Sequence, residues 1–68
     1  MKIKVNDKIQ KIEGSILLSD LLIRNGVKRP DMVAVQLNEE FVKKEEFTKI
    51  IIKENDRIDF LYYIGGGF

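Results

Sequence analysis

The sequence predicts an α+β domain in which a mixed sheet of four or five strands packs on one main helix. Three observations lead there. The apolar pattern opens with period two, changes once to a helical spacing, and returns to period two for the rest of the chain. Turn-forming pairs, Asn6-Asp7 and Asn55-Asp56, and a lone Pro30 punctuate these runs. Of the 68 residues, 44% are hydrophobic, which is enough for one compact core, while the length leaves no room for a second domain.

Each element follows from its own stretch. In "MKIKVND", Ile3 and Val5 point one way and Lys2 and Lys4 the other, which is a half-buried strand ending in a turn. "KIQKIEG" reads as the returning strand, so residues 2–13 form a hairpin closed by Gly14. In "SILLSDLLIRNG" the period changes, with Leu18, Leu21 and Leu22 on one helical face and Ser15 placed to cap the start. Asn25-Gly26 stops this helix, because glycine takes the left-handed conformation after the last turn at little cost. About two and a half turns do not hold alone in water, so the helix must pack on the sheet.

After a connection around Pro30, "MVAVQLN" alternates again and "NEEFV" supplies a short partner strand near Phe41-Val42. "KKEEFTK" is expected to form one helical turn with Phe47 as its inward anchor. "IIIKEND" leads through a turn into "RIDFLYYI", where Ile58, Phe60 and Tyr62 share one face and Asp59, Leu61 and Tyr63 the other. A helix between the first hairpin and the third strand makes a right-handed crossover. That places the last strand beside the first, parallel to it and central in the sheet. This is the β-grasp arrangement of ubiquitin-like proteins, here expected over residues 1–64, with residues 65–68 as a flexible glycine tail.

Composition narrows the function classes. Twelve basic and eleven acidic side chains leave a net charge of +1, so no long-range field draws the chain to nucleic acid or an anionic membrane. There is no histidine and no cysteine, so the usual zinc ligands, disulfides and thiol nucleophiles are all missing, and no metal site or catalytic residue is expected. No apolar run approaches a membrane span and the N-terminal stretch is not a signal peptide, which points to the cytoplasm.

The remaining feature is "YYIGGGF". Glycines make a thin thread with free choice of backbone conformation. This run lacks the spacing of a phosphate-binding loop and no helix follows it. Together with "ND" after the first strand, "DLL" in the helix, "VAVQLNEEFVKKEEF" and "END" before the final strand, it resembles the sulfur carrier family of thiamine biosynthesis over nearly the whole chain.

The resemblance implies a carrier and co-substrate, not an enzyme. An E1-like adenylating enzyme would activate the glycine carboxylate with ATP, with no cofactor bound to the carrier itself. The acyl-adenylate would become a thiocarboxylate that donates sulfur to the thiazole. By position Gly67 would carry the sulfur, and Gly65 and Gly66 would thread into the partner. Leu61 and Tyr63, beside Asp59 on the open face of the sheet, would form the partner-docking patch, with Ile64 where the folded body gives way to the tail. Phe68 departs from the family pattern, in which the glycine is commonly terminal. It is expected to be a cap removed by a C-terminal peptidase. Expected partners are thus the adenylating enzyme, a thiazole synthase or an amino-acid-forming sulfur acceptor, and the peptidase, with the free protein a monomer. The same tail also suits sulfur transfer in methionine or cysteine biosynthesis, or a ubiquitin-like protein modifier.

Overall fold

A computed structural model describes residues 1–62, and the predicted boundary between domain and tail lies outside them. The elements run β1 (Lys2–Val5), β2 (Lys8–Lys11), β3 (Ile16–Leu17), α1 (Leu18–Arg24), β4 (Val33–Leu37), β5 (Glu40–Val42), β6 (Ile51–Ile52) and β7 (Arg57–Tyr62). Five of the strands form one mixed sheet in the order β2-β1-β7-β4-β5. The last strand is therefore central, parallel to β1 and antiparallel to β4. That is the right-handed crossover outcome, and α1 covers one face of the sheet.

Leu18, Leu21 and Leu22 of α1 are fully buried. They meet Ile3 and Val5 of β1, Val33 and Val35 of β4, and Ile58 and Phe60 of β7, all buried in one core. Each such side chain contributes about 1.5–3 kcal/mol of burial, which is what holds a seven-residue helix that would not persist alone. Phe47 follows a single 3₁₀ turn at Lys44–Glu46 and is buried, as the anchor reading expects.

The start of α1 corrects one expectation. Ser15 does not cap the helix; its N-cap position is Leu17, and no side chain bonds there. Ile16–Leu17 instead pair antiparallel with Ile51–Ile52 as a separate two-stranded ribbon. The ribbon replaces the cap: the Leu18 and Ser19 amides donate to the carbonyls of Ile50 and Phe47 at 2.8 and 2.9 Å. Orphan donors at a helix start need acceptors, and backbone from a distant loop serves as well as a serine hydroxyl.

Two hairpin turns set the register of the sheet. Each has two residues between paired strands, Val5 opposite Lys8 and Leu37 opposite Glu40. Both turns use consecutive left-handed residues: Asn6 and Asp7 at φ 48° and 68°, Asn38 and Glu39 at φ 51° and 73°. This matches the right-handed twist of the flanking strands, and asparagine tolerates it well. Glutamate does not, because its Cβ crowds the backbone there. Glu39→Gly is therefore expected to raise stability by about 0.5 kcal/mol or more, seen as a higher urea midpoint at unchanged slope. A lower midpoint would contradict strain at this turn.

Candidate functional site: the two faces of the central strand

β7 alternates without a bulge along β4, from Leu37 opposite Ile58 to Val33 opposite Tyr62. The regular register sends Ile58 and Phe60 into the core and Asp59 and Leu61 to the face that α1 leaves open. Leu61 is 73% exposed. Tyr62 lies on the core side yet is 52% exposed. The pairing of β1 with β7 stops at Val5 and Ile58, so no strand flanks this end on that side. Its ring meets Phe60 edge-on, with centroids 6.2 Å apart.

The open face holds more than the sequence reading assigned to it. Gln36 faces Asp59 on one side and Phe41 on the other, and Ala34 faces Leu61. Phe41 is 75% exposed. These five side chains line a shallow depression of about 70 Å³, with Phe41 and Leu61 as its apolar walls. The signal for Phe41 was present in "QLNEEFV". A two-residue turn at Asn38-Glu39 puts Phe41 on the same face as Gln36, but only once that turn length is known.

Asp59 is half-buried and not a free charge. Arg57 donates to it through Nε at 3.0 Å and to Asp7 through a terminal nitrogen at 3.1 Å. The Asp59 carboxylate is the main reason the Arg57 guanidinium holds its proton more firmly than usual, and Asp7 adds to the effect. Exposed pairs of this kind add little to stability. They fix the polar edge of the apolar depression.

The strand is also gripped by two asparagine side chains, at its first residue and at its fourth. The Asn38 side-chain oxygen accepts the Arg57 amide at 2.9 Å, and the Asn38 backbone N–H donates to the Arg57 carbonyl at 2.7 Å. Asn6 accepts the Phe60 amide at 2.8 Å through its side-chain oxygen. No cluster of metal-ligating side chains occurs among the described residues, and none of their helices is long and apolar enough to cross a membrane. Tyr63, Ile64, Gly65, Gly66, Gly67 and Phe68, all expected at the site, lie outside the described residues.

The fold and its site thus define a small β-grasp domain whose central strand leads directly into a glycine-rich segment. The chain belongs to the ThiS family, whose model matches residues 3–67. It is 35% identical to the thiamine biosynthesis protein ThiS of Geobacter metallireducens, whose crystal structure superposes with a TM-score of 0.83 over 98% of this chain and 100% of that one. It is also 33% identical, over 98% of its length, to 20% of a thiazole synthase from Magnetococcus marinus. A stretch covering 65% of the chain is 48% identical to 7% of the tRNA uridine 5-carboxymethylaminomethyl modification enzyme MnmG of Synechocystis. The chain therefore spans a fifth or less of these two longer relatives.

The two faces of β7 separate in a mutational test. Leu61→Ser is expected to leave stability within roughly 0.5 kcal/mol, because the side chain is already in water. Phe60→Ala, one residue away, is expected to cost about 3 kcal/mol. Urea unfolding measures both, and equal losses would mean that the faces are wrongly assigned.

Proposed function

We propose that this protein is a sulfur carrier of thiamine thiazole biosynthesis, activated at Gly67, and that it performs no catalysis itself. The observation that carries the reading is the family match through residue 67, which takes in the glycines that follow a doubly paired central strand. The thiazole synthase relative supports an acceptor of that class.

The chemistry explains the residue types. Hydrolysis of the Gly67–Phe68 bond by a peptidase would free the Gly67 carboxylate. A carboxylate exchanges oxygen for sulfur poorly, since oxide would have to leave. In a partner's nucleotide site the carboxylate attacks the α-phosphate of ATP and pyrophosphate departs. A sulfide-level nucleophile then adds to the acyl-adenylate carbonyl and AMP leaves, which gives the thiocarboxylate. The carrier's task is to deliver the carboxyl group. Three extended glycines reach at most about 10 Å and fit a channel that excludes side chains. Phe41, Leu61 and Ala34 offer an apolar footing for the activating enzyme, and the Arg57–Asp59 pair gives it a polar margin. Tyr63 and Ile64 are proposed to extend that footing towards the glycines.

Intact mass after incubation with an adenylating partner, ATP and a sulfur source tests this reading. A protein ending at Gly67 is expected to gain the mass of one sulfur-for-oxygen exchange. Gly66→Val is expected to lower the rate by at least about tenfold, because the reacting carbonyl is misplaced. Attachment to lysines of other proteins without the sulfur mass would favour a modifier instead.

A further inference from the structure

We propose that Asn6 is a positioning residue for carrier activation, holding β7 at Phe60, ahead of residues 63–67 in the chain. This deepens the sulfur-carrier reading and rests on it.

The geometry starts from a mismatch in strand length. β1 and β7 are parallel, but their pairing covers only Lys4 with Arg57 and Val5 with Ile58. Backbone bonds run from the Lys4 amide to the Asp56 carbonyl and from the Asn6 amide to the Ile58 carbonyl, each at 2.9 Å. The chain then turns away, because Asn6 and Asp7 are left-handed and reverse into β2. β7 continues for four more residues, to Tyr62. At Phe60 the next bond of the ladder would have no backbone acceptor.

The Asn6 side chain supplies it, with its oxygen accepting the Phe60 amide at 2.8 Å in a partly buried setting. The donor is a backbone N–H, so the accepting atom must be the amide oxygen. One residue thus does two things. Its backbone conformation turns the hairpin, and its side chain extends the parallel pairing one step beyond the end of β1. Any small left-handed residue could do the first, and only a short side chain with an acceptor can do the second.

Past this point β7 is held by β4 alone, through Ala34 with Leu61 and Val33 with Tyr62. A strand paired on one side frays more readily than one paired on both. Asn6 therefore holds the strand immediately before Leu61, the apolar wall of the docking face, and before the segment that must enter a partner's site. Docking and threading have to be satisfied together, so a frayed strand end raises the concentration of carrier needed without changing the chemical step.

Asn6→Gly separates the two roles, since glycine keeps the left-handed backbone and removes only the acceptor. Asn6→Asp restores an acceptor at the same place. In Asn6→Gly the Phe60 amide is expected to exchange with deuterium roughly five- to tenfold faster, with amides of β4 and α1 little changed. With an adenylating partner, the KM for the Gly67-ending carrier is expected to rise about threefold or more at unchanged kcat, and Asn6→Asp to return it towards wild type. Unchanged Phe60 exchange overturns the proposal, and so does faster exchange with an unchanged KM. If the wild-type carrier is not adenylated at all, the sulfur-carrier reading fails, and the exchange data alone decide whether Asn6 holds the strand.

Discussion

The fold depends on placing β7 between β1 and β4, since neither half of the sheet is complete without it. β1 and β2 form one hairpin and β4 and β5 another, with α1 between them in sequence. Among the described strands, only β7 pairs with both hairpins. Ile58 and Phe60 add the last apolar side chains to the sheet face that α1 covers, and Ile58 is completely buried. The asparagines at its margins come from the turns of both hairpins, so each turn also grips the strand that joins them. The Asn6–Phe60 contact links residues 54 positions apart and the Asn38–Arg57 contact residues 19 apart, so the grip on the β1 side is the one that joins the two ends of the chain.

The same placement gives the strand its two jobs. One face is committed to the core, where burial of Ile58 and Phe60 resists pulling and fraying. The other carries Leu61 beside Phe41, the two most exposed of the large apolar side chains among the described residues. A carrier of the proposed kind needs this division: a folded body that a partner can recognise and a thread it can accept. Phe41 and Leu61 come from strands on either side of β4, so the apolar depression they wall exists only in the folded domain.

Much of this was legible in the chain because the periods were clean. "KIKV" alternates strictly, "RIDF" continues the same period in the last strand, and the hairpin turn at Asn6-Asp7 announces itself. The leucines of α1 sit at helical spacing, and the crossover rule then places the last strand correctly. "SILLSDLL" was ambiguous for a physical reason. A continuous apolar run fits either period, and two-residue strands such as Ile16–Leu17 are too short to show one. The face of Phe41 needed the exact turn length, and the roles of Asn6 and Asn38 needed tertiary proximity that no local pattern encodes. The reading of the glycines rests on reach and bulk alone, since they lie outside the described residues.

The central claim is that the reactive group is the Gly67 carboxyl, delivered by a folded body that docks through the open face of the sheet. The most direct measurement is ATP–pyrophosphate exchange with a ThiS-activating enzyme, comparing protein ending at Gly67 with protein that retains Phe68. The account predicts exchange with the Gly67 form and little or none with the Phe68 form, because the added residue puts the carboxyl about 3.3 Å too deep and a ring where the thread must be thin. Equal exchange by both forms, or exchange by the Phe68 form alone, would contradict it.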